Sequence, residues 1–270
     1  MGSREVVASV TELPEHEVVR LLMAATHRTR SQVLLGFDVT PDEQTAFEEF
    51  VARRLADEPL QYIEGTVPFG PVDLLVDERV LVPRPETEYL LELVTGIIDE
   101  PDVIVDLCTG SGNLAVALAA LYPDARVYAV DLSTGAAEVA VENAERNGVN
   151  VHVTVGDLFA GLPDDVRGTV DLLISNPPYL AEHELADVPA DVLAEPEMAL
   201  VAGPEGVEVL ERIAAEAGGW LSPDGVVACE ISEFHGDRVL ELFDHLGPEI
   251  VRDLTGRERF VLAGPGFKYR

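Results

Sequence analysis

Residues 103–113 read Val-Ile-Val-Asp-Leu-Cys-Thr-Gly-Ser-Gly-Asn, which joins a buried-strand pattern to a glycine loop. A helical pattern follows through Leu121. Glycines let the backbone turn tightly into a helix and come close to a ligand. The spacing Gly110-x-Gly112-x-x-Ala115 also fits the dinucleotide-binding pattern. The loop therefore predicts a nucleotide-binding βα unit without deciding which nucleotide it takes.

Acidic residues follow the next two predicted strands, residues 126–130 and 151–155. Asp131 ends the first of them, where a carboxylate can accept both ribose hydroxyls of a nucleoside. Asp157 and Leu158 follow the second strand and suit an adenine. The acid would face the exocyclic amine of the adenine, and the leucine would pack against its ring. An acid at one strand end is equally typical of a simple turn. Together with Asp106 and the glycine loop, the ordered set favours a binding site.

Asn176-Pro177-Pro178-Tyr179 follows a fourth predicted strand, residues 170–174. Proline lacks an N–H and has a fixed φ, so the strand stops there, and the residue before it is kept out of the helical region. The Asn176 amide and the Pro177 carbonyl can then hold a planar –NH2 group, against which Tyr179 can stack. The alternative is a proline-rich turn without chemistry. The motif favours a methyltransferase that acts on a planar amino group or an amide.

These motifs together resemble the HemK/PrmC family of protein-(glutamine-N5) methyltransferases, which modify peptide chain release factors. Three further stretches carry the resemblance: residues 59–65 (Pro-Leu-Gln-Tyr-Ile-Glu-Gly), 82–88 (Val-Pro-Arg-Pro-Glu-Thr-Glu) and 252–259 (Arg-Asp-Leu-Thr-Gly-Arg-Glu-Arg). Glu195-Pro196 also fits the family pattern. The resemblance covers nearly the whole chain.

The resemblance implies transfer of a methyl group from S-adenosyl-L-methionine to the N5 amide of a glutamine, the one in the Gly-Gly-Gln motif of a release factor. It implies that the catalytic residues are Asn176, Pro177, Pro178 and Tyr179. The cofactor contacts that we expect are Asp106, Cys108, Thr109, Gly110, Ser111, Gly112, Asp131, Leu132, Asp157, Leu158 and Asn176. We expect no metal, because the six histidines and two cysteines lack ligand spacing.

Two positions depart from the family pattern. The family usually has glycine where Cys108 and Ser232 stand in this chain. These departures leave room for a related enzyme that methylates another protein or a small metabolite. A nucleic-acid base is a separate alternative substrate. A nicotinamide-dependent oxidoreductase, or an inactive dinucleotide-binding module, is also compatible with the glycine loop, but neither explains the motif at 176–179.

The composition is strongly acidic, with 50 acidic against 18 basic residues and a net charge of −32. Such a field repels a phosphate backbone, so we expect no direct nucleic-acid partner. No apolar run approaches the roughly 18–20 residues of a membrane span, and the N-terminus has no apolar signal region, so we expect a cytoplasmic protein without membrane contact. The acidity fits a salty cytoplasm and a solubility role equally well.

The predicted organisation has three parts. Residues 1–57 form a helical domain, in which Thr40 caps a helix that starts at Pro41. The resemblance implies that this domain docks the release factor; the alternative is a merely stabilising domain. Residues 58–84 form a linker with a β-hairpin. Residues 85–270 alternate strands and helices, which predicts an α/β, Rossmann-like, seven-stranded class I methyltransferase sheet with a closing antiparallel hairpin. We expect residues 180–204 to form a loop over the site.

Overall fold

The computed structural model describes residues 1–267, which divide into two compact units. The first comprises Met1–Thr66 together with Pro189–Ala194, and the second comprises Val67–Val188 and the residues from Glu195 onward. The first unit runs past residue 57, where the sequence suggested a border, because Leu60 and Ile63 belong to its apolar core. The docking role of this unit stays a prediction.

The first unit consists mostly of helices, whereas the second contains both helices and strands. In chain order, the helices of the described residues are α1 (Ser3–Ser9), α2 (Glu15–Thr26), α3 (Arg30–Leu35), α4 (Pro41–Leu55), α5 (Leu60–Glu64), α6 (Pro85–Thr95), α7 (Asn113–Leu121), α8 (Thr134–Asn147), α9 (Ala190–Leu193), α10 (Glu197–Leu200), α11 (Glu208–Ala217) and α12 (Gly236–Leu242). The strands are β1 (Thr66–Phe69), β2 (Val72–Leu75), β3 (Val103–Leu107), β4 (Arg126–Asp131), β5 (Val151–Val155), β6 (Val170–Ser175), β7 (Leu180–Ala181), β8 (Val201–Gly203), β9 (Leu221–Glu230), β10 (Glu249–Arg252) and β11 (Glu258–Ala263).

The first unit is a helical bundle around one apolar core. Leu21, Leu22 and Phe47, on α2 and α4, are almost fully buried in this core. Helix α4 starts as predicted: Pro41 occupies its first turn, and the Thr40 hydroxyl accepts the Glu43 N–H. Helix α1 was not predicted, because it is only seven residues long and too short to show a periodic pattern.

The second unit contains a seven-stranded sheet, in the order β10-β11-β9-β6-β3-β4-β5 among the described residues. Strands β5, β4, β3, β6 and β9 are parallel, whereas β11 runs antiparallel to both β9 and β10. Apolar clusters cover both faces of the sheet: Val103 and Val105 of β3 pack into one and Ile104 into the other. The predicted α/β fold and its closing antiparallel hairpin are confirmed.

Segment 180–204 differs from the expected loop. It contains β7, α9, α10 and β8, and β7 pairs with β8 in a small parallel sheet of its own. Short apolar stretches such as Leu180–Ala181 and Val201–Gly203 carry no strand periodicity that a sequence could reveal. Among the described residues, no helix has the length and apolarity that crossing a bilayer requires.

Candidate active site

A cavity of about 300 Å³ lies at the carboxyl ends of β3, β4, β5 and β6 in the second unit. Leu107 at the end of β3 is level with Val130 of β4 and Ser175 of β6. The residues that follow these strands therefore meet at one edge of the sheet. Strand β3 has β4 on one side and β6 on the other, which makes this edge the topological switch point where open α/β sheets bind ligands.

Most of the predicted site residues line this cavity. They are Cys108, Thr109, Gly110, Ser111, Asp131, Leu132, Asp157, Leu158, Asn176 and Pro178. The cavity wall does not include Asp106, Gly112, Pro177 or Tyr179. Residues that the sequence did not single out complete the wall, among them Arg79, Met198 and Arg212.

Asp106 stabilises the glycine loop from its buried side. Its side chain is 1% exposed, and Oδ2 accepts the Thr109 hydroxyl at 2.6 Å and the Ala115 N–H at 3.2 Å. Burial raises the pKa of Asp106 to about 7, and the nearby Asp131 carboxylate adds to the rise. Asp106 therefore holds the loop against α7 and does not face the cavity.

The backbone of the glycine loop takes the left-handed conformation at three places. Gly112 has φ +78°, and a Cβ there would lie only 3.0 Å from the Ala140 Cβ, so a side chain at 112 would displace α8. Gly110 has φ +54°. Cys108 has φ +58°, which a non-glycine residue adopts at a cost of about 1–2 kcal/mol. Although the family usually has glycine at position 108, Cys108 therefore keeps the left-handed backbone conformation that glycine favours.

Asp131 ties the end of β4 to the glycine loop. Its Oδ2 accepts the Gly110 N–H at 2.8 Å, and its Oδ1 accepts the Ser133 N–H at 2.9 Å. A carboxylate has about four acceptor positions, so both oxygens keep capacity for a ligand hydroxyl. Burial raises the pKa of Asp131, while the backbone N–H groups of Ser133, Gly110 and Leu132 oppose that rise.

The end of β5 supplies an acid and an apolar residue, as predicted from the sequence. The Asp157 side chain is half exposed, and its Oδ1 lies 2.8 Å from Nη2 of Arg212. Leu158 is buried with φ +51°, an unfavourable conformation for a branched side chain that the surrounding fold must hold in place. Leu132, 56% exposed, lies on the same cavity wall. This part of the cavity combines an apolar surface with an acceptor, which fits a purine that carries an amino group.

Asn176 stands at the end of β6 and takes part in a chain of hydrogen bonds. Its Nδ2 donates to the Thr87 hydroxyl oxygen at 3.0 Å, and the Thr87 hydroxyl donates to Oε2 of Glu230 at 2.8 Å. The Tyr179 hydroxyl lies 3.4 Å from Oε1 of the same carboxylate. Stacking of Tyr179 on a substrate amide stays a prediction.

Thr87 and Glu230 are functional candidates that sequence reasoning missed. Thr87 lies in the quoted run Pro-Arg-Pro-Glu-Thr-Glu, and Glu230 is an acid at the end of an apolar strand, which is itself a signal of a buried polar role. Arg84, in the same run, braces the segment: its Nη2 lies 2.5 Å from Oε1 of Glu195, whose Oε2 accepts the Val82 N–H at 3.0 Å.

The fold and the site define a Rossmann-like methyltransferase. Two family models match the chain, a PrmC N-terminal domain over residues 3–65 and a methyltransferase small domain over residues 86–212. The chain belongs to the release factor glutamine methyltransferase family. A relative with that name from Mycolicibacterium smegmatis is 43% identical over 87% of this chain and 84% of its own, and one from Moorella thermoacetica is 38% identical over 96% and 94%.

Solved structures agree on the fold. A methyltransferase from Pyrococcus furiosus superimposes with a TM-score of 0.56 at 20% identity, covering 82% of this chain and 100% of that one. A Thermus thermophilus 16S rRNA N2 G1207 methyltransferase, solved with AdoMet and guanosine, gives a TM-score of 0.55 at 18% identity over 74% and 49%. Sequence identities this low establish the shared fold alone.

Proposed function

We propose that this protein transfers a methyl group from S-adenosyl-L-methionine to the N5 amide of a glutamine in a peptide chain release factor. The observation that carries the proposal is the orientation of Asn176 in the cavity wall. Because Nδ2 is engaged by Thr87, Oδ1 is the atom that remains to accept an N–H from a planar amide. Relatives across bacteria that carry the corresponding name support the glutamine and the release factor.

The glycine loop, Asp131, Leu132 and Asp157 are suited to hold the nucleoside and its ribose. S-adenosylmethionine bound there would supply an electrophilic methyl group. The task left to the chain is orientation, because an amide nitrogen is a poor nucleophile whose lone pair is delocalised. Asn176 Oδ1 would accept one amide hydrogen, and the carbonyl of Pro177, which is not itself part of the cavity wall, would accept the other, so that the nitrogen cannot rotate. Methyl transfer would form the C–N bond as the sulfur–methyl bond breaks, leaving S-adenosylhomocysteine, and the nitrogen would release one proton to water.

The charge of the chain also bears on the substrate class. A net charge of −32 disfavours a nucleic-acid substrate. Location in the cytoplasm, where release factors act, stays a prediction.

Asp131→Ala is expected to weaken cofactor binding. The ribose hydroxyls lose a charged acceptor, an effect of roughly 1.5–3 kcal/mol or about 10- to 150-fold in affinity. Calorimetry with S-adenosylhomocysteine measures it. Asp131→Asn is the matched control, because it keeps an acceptor for the Gly110 N–H but removes the charge. Equal affinity of the alanine variant and the wild type would remove Asp131 from the cofactor site.

The experiment that tests the proposed function uses a purified release factor incubated with the protein and S-adenosylmethionine. Peptide mass spectrometry should show the mass gain of one methyl group on the glutamine of the Gly-Gly-Gln motif. A release factor in which that glutamine is replaced by asparagine should gain nothing. Methylation of a different protein, with the release factor untouched, would support the alternative of a related enzyme with another substrate.

A further inference from the structure

Behind Asn176 lies a carboxylate that is nearly removed from solvent. Glu230, the last residue of β9, is 1% exposed, and Thr87 on α6 is fully buried between it and Asn176. An ionised carboxylate in such a place is costly unless donors surround it. The donors are the Thr87 hydroxyl at 2.8 Å and the more distant Tyr179 hydroxyl at 3.4 Å.

An ionised carboxylate can only accept hydrogen bonds, and this fixes the direction of the whole chain of hydrogen bonds. The single hydrogen of the Thr87 hydroxyl must point to Glu230, which leaves the Thr87 oxygen as an acceptor toward Asn176. Only the –NH2 end of the Asn176 amide can then face Thr87. The opposite orientation would place two acceptors, Thr87 and the Asn176 oxygen, against each other.

We propose that Glu230 and Thr87 are positioning residues, which decide that the Asn176 amide presents its oxygen, and not its –NH2 group, to the substrate. This inference rests on the proposed amide methylation, because an incoming –NH2 group needs an acceptor there. Thr87 borders the cavity but acts through Asn176 in the proposed reaction, and Glu230 acts through Thr87.

The charged groups around Glu230 make the orientation of the Asn176 amide sensitive to pH. Burial raises the pKa of Glu230 to about 7 and Glu86 on α6 adds to the rise, while Thr87, Tyr179 and Arg259 on β11 oppose it. Below that pH the carboxyl is protonated and can donate to Thr87, so the direction of the hydrogen bonds is no longer fixed. The methylation rate should therefore rise with pH through about 7.

The test measures single-turnover methylation of the full-length release factor by the full-length protein. Thr87→Val, which removes the hydroxyl at nearly constant volume, is expected to lower the rate roughly 10- to 100-fold, the range found for outer partners of functional side chains at metal sites. S-adenosylhomocysteine affinity should stay within about twofold. Thr87→Ser should restore most of the rate. Thr95→Val removes a hydroxyl from the same helix, where it donates to the Leu91 and Glu92 carbonyls, and should leave the rate unchanged.

Two further measurements separate positioning from a structural effect. When Asn176→Ala is already present, adding Thr87→Val should not lower the methylation rate further, because each change by itself removes the oriented Asn176 amide. Glu230→Gln should lower the rate at pH 8 and abolish its rise through pH 7. If the Thr87→Val variant cannot be purified in a folded form, the rate and the pH profile of the Glu230→Gln variant test the proposal without it.

The possible outcomes are distinct. A Thr87→Val or Glu230→Gln variant with the rate and pH profile of the wild type would overturn the positioning role. A Thr87→Val effect that multiplies with that of Asn176→Ala would overturn it as well. If the wild type itself leaves the release factor unmethylated, the proposed function fails instead.

Discussion

Asn176→Ala is expected to lower the rate of methyl transfer by about 10²–10³ while cofactor affinity is preserved. The alanine removes the Oδ1 acceptor, so the substrate nitrogen is free to rotate away from the methyl group. Loss of one oriented polar contact in a preorganised site costs about 10²–10³ in rate. Of the cofactor contacts that we expect, those to the adenosine lie at the ends of β3, β4 and β5, whereas Asn176 follows β6. Single-turnover transfer of labelled methyl, beside a titration with S-adenosylhomocysteine, measures both quantities.

Asn176→Asp is the matched control for this result. It keeps the size of the side chain and an oxygen toward the substrate, but a carboxylate cannot donate to Thr87. We expect a rate between those of the alanine variant and the wild type. If the alanine variant methylates its substrate at nearly the wild-type rate, the motif at 176–179 is only a proline-rich turn at the end of a strand, without a catalytic role.

Removal of residues 1–65, the N-terminal part of the first unit, is expected to impair methylation of the intact release factor selectively. The cut belongs after residue 65, because Leu60 and Ile63 are part of the helical core. The remaining chain should bind S-adenosylhomocysteine normally, since the cavity is built from residues of the second unit alone. If the first unit docks the substrate, the loss of remote binding energy should lower kcat/KM for the full-length release factor by about tenfold or more, equivalent to roughly 1.4 kcal/mol.

A short peptide that contains the Gly-Gly-Gln motif provides the comparison. It is too small to use a docking surface, so the truncated and full-length proteins should methylate it at similar rates. Equal rates of both proteins on the full-length release factor would show that the helical unit only stabilises the chain. Loss of activity on the peptide as well would indicate a damaged methyltransferase unit, which loss of S-adenosylhomocysteine affinity would reveal independently.

Several parts of the site were predictable because they are local. A strand followed by a glycine loop and a helix fixes its own geometry, so residues 108–111 reach the cavity as expected. The acids after β4 and β5 follow from the same regularity, because parallel strands bring their carboxyl ends to one edge. The helix start at Pro41 is local too, since its hydrogen bonds join residues three apart.

Other parts depended on contacts between distant residues. Asp106 has the same residue type and strand-end setting as Asp131, yet it turns inward to the loop while Asp131 lines the cavity. The sequence places Arg84 between two prolines without showing its partner, and the ion pair with Glu195, more than 100 residues away, shows that Arg84 braces the chain. No spacing rule connects such positions, because their separation along the chain carries no information on distance in space.

The sequence by itself determined the fold class, the family and the position of Asn176, because the periodicity of strands and helices and the short motifs are local properties of the chain. Only the tertiary structure decided how Asn176 is oriented. Residues 87, 176 and 230 meet because α6 packs beside the ends of β6 and β9, and the amide direction follows from a buried carboxylate that can only accept hydrogen bonds. Hydrogen-bond direction depends on which groups share a desolvated space, and that is a property of the packed fold.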